Sequence, residues 1–373
     1  MSLPFLVLVV ILLIYTALIK LLLIGWRRIT EFRPQTLTEE IFVSVLVPFR
    51  DEEKHITNLL DDLTHQNYPS QQFEIIVVDD HSVDKSSELV QNYSIDVNHN
   101  IILHHLPGDL SGKKEALRYG TGYCSGKVIL TTDADCRVPV DWIRTFITYY
   151  NAMEEPGLIT GLVDHNKITG FFQWLQNLEY LSLIGSGAGA AGIHKPVYCN
   201  GANMMFRKDV YFEIEDPLVI NTPSGDDTFL LHHIKKKYPD KIFALKSHDS
   251  LVLTQPAATI RDFINQRIRW ASKVRYYFDP HILILSAVIL ISNLAIFICL
   301  VLFVSKHNGL FLLPLLYKML IDWIFMIPVL SWFEKKRLHI LVPLLSLIYP
   351  VYILLSVPAT IFGHYKWRGR SYR

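Results

Sequence analysis

The sequence predicts an α/β domain with a mixed, mainly parallel sheet and helices on both faces, joined to transmembrane helices. Between residues 40 and 155, short runs rich in valine and isoleucine alternate with amphipathic segments. Longer apolar runs stand at both ends of the chain, and half of its 373 residues are hydrophobic. Uninterrupted apolar strands separated by helices are typical of a parallel sheet buried on both faces. Apolar runs of about 20 residues are long enough to cross a bilayer.

The first apolar run, Leu3 to Ile24, predicts a membrane-spanning helix. Its charged residue, Lys20, lies one turn from the end, where the ammonium can reach the interface. A signal peptide is the alternative, but no basic residue precedes the run and no small-residue cleavage site follows it. The run is followed by an aromatic and two basic residues, Trp26, Arg27 and Arg28. Basic residues after a span favour the cytoplasmic side, so we expect residues 1–28 to anchor a cytoplasmic domain.

The expected cytoplasmic domain, residues 40–255, begins with a regular alternation and continues less regularly. The predicted strands are Phe42–Pro48, Phe73–Asp79, Ile101–His105 and Lys127–Thr132, and the helices between them are Glu52–His65, Lys85–Asn92 and Gly112–Tyr123. The second half predicts a helix at Phe171–Ile184 and strands near Val197–Phe206 and Ile242–Leu253. The glycine-rich stretch 185–192 fits either a flexible loop on the acceptor side or a close helix contact.

The C-terminal third predicts a second membrane region. Residues 256–279 form an expected interfacial segment, because apolar residues recur at helical spacing among arginines and lysines there. Three apolar segments follow, at His281–Val304, Leu310–Trp332 and Leu338–Phe362. Four crossings in all would leave the basic tail outside, against the usual charge bias. We therefore expect residues 280–365 to hold two or three transmembrane helices, the middle segment being in doubt because it carries Lys318 and Asp322.

Overall composition gives little further information on function. The net charge of +1 offers no argument for nucleic acid binding. The four cysteines lack metal-site or disulfide spacing, which agrees with a reducing compartment. Oligomeric state cannot be read from the sequence.

Two acidic motifs follow predicted strands. Asp79 and Asp80 come at the carboxyl end of one strand, where open α/β sheets bind ligands, and one of them can hydrogen-bond a ribose or uracil edge. A helix N-cap is the alternative role of this motif. Asp133 and Asp135 follow another strand and can bind Mg²⁺ or Mn²⁺ together with a diphosphate, since these hard cations prefer oxygen ligands. A solvated turn is the alternative here.

Further candidates lie at helix starts and on the interfacial helix. Asp227 can remove a proton from an acceptor hydroxyl, although carboxylates in a first helical turn are also favoured by the helix dipole. Lys114 opens a helix where a diphosphate can bind, within a segment that lacks Walker A spacing. Gln266, Arg269 and Trp270 share one helical face, where the arginine can stabilise diphosphate charge and the tryptophan can stack on a sugar. A structural arginine–tryptophan pair is the alternative.

In this order the motifs resemble those of membrane-bound family 2 glycosyltransferases with a GT-A fold. The matching segments are Val45–Glu53, Gln66–Pro69, Val78–Ser82, Asp133–Asp135, Cys199–Asn203, Gly225–Asp227 and Gln266–Trp270. Cellulose, chitin and hyaluronan synthases and ceramide glucosyltransferase share this set. The resemblance implies nucleotide-sugar binding at Pro48, Glu52, Asp80, Lys114 and Asp133, a cation at Asp133 and Asp135, and catalysis by Asp227, Gln266, Arg269 and Trp270.

The resemblance thus implies an inverting, metal-dependent hexosyltransferase of the cell membrane, that is, the inner or plasma membrane. Its donor is expected to be a UDP-sugar, and its acceptor a lipid-linked or growing polysaccharide. Addition of a single sugar to ceramide, diacylglycerol or polyprenyl phosphate is the alternative. Two other classes stay open: a nucleotide-sensing receptor on an inactive transferase scaffold, and a transporter suggested by Lys318 and Asp322.

Overall fold

The computed structural model describes residues 3–34, 39–96, 100–220, 225–362, 365–367 and 370–372. The chain forms two compact units, each assembled from separate segments. We call them the sheet unit, Ile29–Lys167 with Pro196–Gln255, and the helical unit, Met1–Arg28 with Ile168–Lys195 and Pro256–Arg373. The expected domain at 40–255 included residues 168–195, which the structure groups with the apolar helices instead.

The sheet unit contains nine of the described strands. They are β1 Val43–Phe49, β2 Phe73–Asp79, β3 Ile101–His105, β4 Val128–Thr131, β5 Leu158–Gly161, β6 Val163–His165, β7 Met204–Arg207, β8 Ile242–Leu245 and β9 Val252–Thr254. Seven form one sheet in the order β3-β2-β1-β4-β7-β5-β8, while β6 pairs with β9 in a second sheet. Strands β10 Tyr365–Trp367 and β11 Arg370–Tyr372 pair within the helical unit.

The described α-helices are, in chain order, α1 Leu3–Arg28, α2 Ile56–Thr64, α3 Ser86–Asp96, α4 Lys113–Tyr123, α5 Trp142–Ala152, α6 Gly170–Gly192, α7 Lys208–Phe212, α8 Asp226–Lys237, α9 Ile260–Ala271, α10 Pro280–Lys306, α11 Leu313–Trp332 and α12 Val342–Phe362. Short 3₁₀ turns occur at Ser70–Gln72, His248–Ser250, Ser272–Tyr276, Gly309–Leu312 and Lys336–Leu341. Helices α1, α6 and α9 to α12 belong to the helical unit.

The main sheet is mixed and mainly parallel, as the sequence predicts. Strand β1 pairs in parallel with both β2 and β4, and β2 pairs in parallel with β3. Strand β7 runs antiparallel between β4 and β5. Every residue of β1, β2 and β4 is buried, which accounts for their uninterrupted apolar sequence. The carboxyl ends of β1, β2 and β4 consequently lie at one edge of the sheet.

The glycine-rich stretch 185–192 is helical and forms a close helix contact. It is the last third of α6, which packs against α1. A Cβ atom at Gly189 would lie 2.3 Å from the Leu22 carbonyl oxygen, and one at Gly25 would lie 1.8 Å from the Gly189 carbonyl oxygen. Only residues without a side chain allow two helix backbones to approach so closely. Of the two readings of this stretch, the structure therefore contains the helix contact and not the loop.

Gly189→Ala is expected to destabilise the helical unit, because the new methyl group meets backbone atoms of α1 and cannot be accommodated by a side-chain rotation. Overpacking of this kind costs about 1–3 kcal/mol. The matched control is Gly309→Ala, where a Cβ atom has no neighbour within 4 Å. Thermal unfolding of the purified protein in detergent compares them. Equal midpoints for the two variants would contradict the close contact.

Among the residues that the structure describes, four helices are long and apolar enough to cross a membrane, and they include the segment that the sequence left in doubt. The candidate spans are Leu3–Arg28, Pro280–Lys306, Gly309–Trp332 and Lys336–Leu354. In the third, Lys318 Nζ donates to Asp322 Oδ2 at 2.8 Å, Ser346 Oγ donates to the same oxygen at 3.2 Å, and the Tyr15 hydroxyl donates to Oδ1. The Asp322 carboxylate thus joins α1, α11 and α12, which gives this charged pair a role in helix packing.

Candidate active site

The two carboxylates at the end of β2, Asp79 and Asp80, make different contacts. Asp79 Oδ1 accepts a hydrogen bond from the Ser82 backbone N at 2.9 Å, so it caps the turn that follows the strand. Asp80 Oδ1 accepts from the Gly112 backbone N at 3.0 Å. Gly112 has a φ of +100°, a conformation that favours glycine. Asp80 therefore connects the end of β2 to the start of α4, and the capping role belongs to Asp79.

Lys113, which the sequence analysis did not select, connects two of the acidic motifs. Its Nζ lies 2.5 Å from Asp133 Oδ1 and 3.7 Å from Asp226 Oδ2. Burial by itself lowers the pKa of Lys113, but the charges of Asp133 and Asp226 outweigh burial and hold that pKa well above its ordinary value. The ammonium is therefore positively charged. In the sequence, the only signal for Lys113 is its place beside Lys114 at the start of the predicted helix Gly112–Tyr123.

Lys114 does not lie where the sequence analysis expected it. Its side chain is buried, its Nζ donates to the Val219 carbonyl oxygen at 2.9 Å, and the same Nζ lies 4.5 Å above the Phe229 ring. Consecutive residues of a helix point about 100° apart, so only one of two neighbouring lysines can face the acidic residues. In this structure Lys113 is that residue.

Asp133 and Asp135 fit a hard divalent cation. The side chains are partly exposed, and their oxygens are the ligands that Mg²⁺ and Mn²⁺ prefer. Burial and the negative charge of Asp133 raise the pKa of Asp135 to about 6, and the positive charge of Lys113 opposes this shift without cancelling it. Within the described residues no group of three metal-binding side chains is assembled. A cation here would take further ligands from water or a diphosphate, which suits magnesium-type sites.

Asp226 and Asp227 open α8 after Gly225, whose φ of +99° favours glycine. Asp226 is buried, whereas Asp227 is partly exposed. Asp227 Oδ2 accepts from the Gly201 backbone N at 3.2 Å, and the Thr131 hydroxyl donates to the Gly201 carbonyl oxygen at 2.8 Å. A Cβ atom at residue 201 would come within 3.3 Å of Asp226 Oδ2. Glycine at this position thus lets the end of β4 approach the start of α8.

Other residues of the matched segments support this edge of the sheet. Pro48 is buried in β1 and pairs in register with Val78, two residues before Asp80. Glu52 is also buried, and its backbone N donates to Ser86 Oγ at 2.6 Å. Asn203 is fully buried and joins three segments: its Nδ2 donates to carbonyl oxygens of Leu162 and Ser250, and its Oδ1 accepts from the Trp142 indole. Asn203 is therefore a structural residue.

Gln266, Arg269 and Trp270 lie on α9, in the helical unit. All three are partly exposed. Between them, Arg267 is buried and forms a two-pronged ion pair with buried Glu179 of α6, its Nε donating to Oε1 at 3.0 Å. The sequence analysis counted Arg267 among the basic residues at the membrane surface; the structure places it inside the unit.

Arg267 also contacts its motif neighbours. Its Nη1 donates to Gln266 Oε1 at 2.6 Å, and its guanidinium carbon lies 4.2 Å from the centre of the Trp270 ring. Burial lowers the pKa of Arg267, but the Glu179 carboxylate outweighs burial and holds that pKa above its ordinary value. The charged guanidinium thus fixes the side chains of Gln266 and Trp270 relative to each other.

Comparison with known proteins agrees with this geometry. The family described as Glycosyl transferase family 2 matches residues 44–214. Glycosyltransferase AglE of Haloferax volcanii is 23% identical over 228 residues, which cover 61% of this chain and 71% of AglE. Beta-monoglucosyldiacylglycerol synthase of Nostoc sp. is 30% identical over 116 residues, which cover 30% of this chain and only 25% of that enzyme.

Among solved structures, the mannosyltransferase PcManGT of Pyrobaculum calidifontis superposes with a TM-score of 0.59 at 16% identity. The match covers 95% of this chain and 99% of PcManGT, and at this identity it concerns the fold alone. Its fold agrees with the mixed sheet described above, and the family match begins in β1 and ends after β7. The chain is therefore a glycosyltransferase that carries a family 2 domain with the GT-A fold and uses a nucleotide-sugar.

Proposed function

We propose that the chain transfers a sugar, with inversion, from a UDP-sugar to a lipid-linked or growing polysaccharide acceptor at the cytoplasmic membrane face. One observation carries the proposal: contacts run from Asp80 through Gly112 and Lys113 to Asp133 and Asp226. Motifs that are far apart in the sequence thus gather at the carboxyl ends of the strands, where open α/β sheets bind ligands.

In this proposal each carboxylate has a separate role. Asp80 contacts the nucleotide, and Asp133 and Asp135 hold a cation that, when bound, neutralises charge on the departing diphosphate. Asp227 accepts the proton of the acceptor hydroxyl. Its partly exposed carboxylate supports that role, since buried Asp226 lies beside Lys113. Gln266, Arg269 and Trp270 keep the roles that the resemblance implies.

The identity of the donor needs a direct test. PcManGT was solved with GDP-Man and Mn²⁺, so a GDP-sugar is the main competitor of the expected UDP-sugar. Purified protein is incubated with Mn²⁺ and a panel of nucleotide-sugars, and the released nucleoside diphosphate is measured. If UDP alone is released, the proposal is supported. If GDP alone is released, the donor is a GDP-sugar and the rest of the proposal stands. Turnover of no nucleotide-sugar, with binding intact, would favour the receptor class.

Single-sugar transfer to a membrane lipid is the second candidate. The Nostoc relative is named a beta-monoglucosyldiacylglycerol synthase, and a Trichomonas vaginalis relative, 32% identical over 107 residues, is named a dolichyl-phosphate beta-glucosyltransferase. Both names specify one sugar on one lipid. Product length with a defined acceptor separates the candidates, because a polymer grows with time at constant acceptor concentration whereas a single addition gives one product of fixed mass.

Asp135→Asn is expected to weaken Mn²⁺-dependent donor binding by at least about tenfold, or 1.4 kcal/mol, while the protein remains folded. The fold should survive because the substitution removes a negative charge that lies beside Asp133. Calorimetric titration with nucleotide-sugar, with and without Mn²⁺, measures the effect. The control is Asp240→Asn, at an exposed position of the sheet unit. Full transfer activity in excess chelator would count against a cation at this site.

A further inference from the structure

The ammonium of Lys113 lies where a cation would otherwise neutralise the acidic residues. It is 2.5 Å from Asp133 Oδ1 and 3.7 Å from Asp226 Oδ2, with about a quarter of its side chain exposed. Gly201 lies on one side of the ammonium, since a Cβ atom at that residue would be 3.7 Å from Lys113 Nζ. The lysine therefore supplies the positive charge for two acidic motifs that are 93 residues apart in the sequence.

A divalent cation and this ammonium compete for the same oxygen. A cation bound at Asp133 would lie close to Lys113 Nζ, and two positive charges a few ångströms apart repel each other strongly where protein limits solvent screening. The ammonium must then move away from Asp133. A donor diphosphate would favour that movement, because its oxygens add ligands to the cation and offer the lysine a new negative partner.

We propose that Lys113 is a positioning residue that holds the place of the cation: it neutralises Asp133 and Asp226 before the donor arrives, so that a free divalent cation binds weakly and one accompanied by a diphosphate binds well. The proposal rests on the cation site of the proposed function. By thermodynamic linkage, cation and donor each strengthen binding of the other. The lysine thus couples the cation to the donor. Without it, the carboxylates would bind these two ligands in either order.

The test measures Mn²⁺ binding without nucleotide to the full-length protein in detergent, by the electron paramagnetic resonance signal of free Mn²⁺. Lys113→Met is expected to raise Mn²⁺ affinity at least about tenfold, whereas Lys113→Arg, which keeps the charge, stays near the unaltered protein. Lys236→Met is the matched control, because it removes the same charge from an exposed turn of α8. Adding Asp133→Asn to Lys113→Met should abolish the gain and thereby locate it. Thermal unfolding checks that each variant is folded.

If Lys113 had only a structural role, the Lys113→Met variant would bind Mn²⁺ equally well or more weakly than the unaltered protein. Equal affinity of Lys113→Met and the unaltered protein, or a gain that survives Asp133→Asn, would overturn the proposal. If no variant bound Mn²⁺ and sugar transfer continued in chelator, the inference and the cation requirement would both be rejected, while the transfer reaction itself would stand. Absence of transfer from every nucleotide-sugar, with Mn²⁺ binding as expected, would reject the proposed reaction and leave the role of Lys113 intact.

Discussion

Asp227→Asn is expected to lower sugar transfer by about 10²–10⁴-fold, the usual contribution of a general base. The amide has nearly the same shape as the carboxylate but cannot accept the acceptor's proton. It can still accept the hydrogen bond that the Gly201 backbone N donates to Asp227 Oδ2 at 3.2 Å. Donor and cation binding should therefore survive. Donor affinity and turnover are measured side by side: the first should be unchanged and the second should fall.

The neighbouring carboxylate provides the control. Asp226→Asn should reduce transfer less than Asp227→Asn, because Asp226 is buried beside Lys113 whereas Asp227 is partly exposed. If Asp226→Asn abolished transfer and Asp227→Asn left it intact, the two roles would be exchanged. Loss of donor binding in Asp227→Asn would place that residue in the nucleotide or cation site.

Arg267→Met is expected to lower the free energy of unfolding of the helical unit by about 3–5 kcal/mol, because it leaves the Glu179 carboxylate buried without its ion pair. Transfer should fall as well, since Gln266 and Trp270 lose their contacts with the guanidinium. Unfolding in detergent and transfer rate are the measurements. Glu179→Gln should have a similar effect, because Arg267 then keeps a charge that lacks its counter-ion.

The double variant Glu179→Gln with Arg267→Met tests the pairing itself. It should cost less than the sum of the two single variants, because no unpaired charge remains buried. Glu115→Gln with Arg118→Met is the control, since the Arg118 side chain of that ion pair is half exposed and surface pairs contribute about 0–1 kcal/mol. Additive costs at Glu179 and Arg267 would show that the pair is not coupled.

The first half of the sheet unit was predictable from sequence because its strands are buried on both faces. Strands β2 and β3 have the predicted bounds, and β1 and β4 differ from theirs by one residue at each end. The region expected as one strand at 242–253 contains instead β8, a 3₁₀ turn and β9. The sequence analysis also missed helix α5 and strands β5 and β6. The two strands have only four and three residues, which is too short for a periodic pattern to show.

Asp80, Asp133 and Asp135 were selected from sequence because they follow strands, whose ends meet in a parallel sheet, whereas Asp227 was selected at a helix start. The basic residues were harder to assign. Lys113 and Arg267 each have a second cation within two positions, and sequence spacing alone does not tell which of the two is turned inward. That choice depends on the rotation of a helix about its axis, which tertiary packing fixes: Phe229 and Val219 surround Lys114, and Glu179 binds Arg267.

The close approach of α6 to α1 limits how this enzyme can be shortened. Because α6 is inserted in the chain between β6 and β7, any continuous fragment that keeps the whole sheet unit also keeps α6. Removing residues 1–28 to obtain a water-soluble enzyme would strip α6 of the helix that covers Gly189 and Gly192. Helix α1 is therefore needed for the packing of α6, and it cannot be removed as if it were only a membrane anchor.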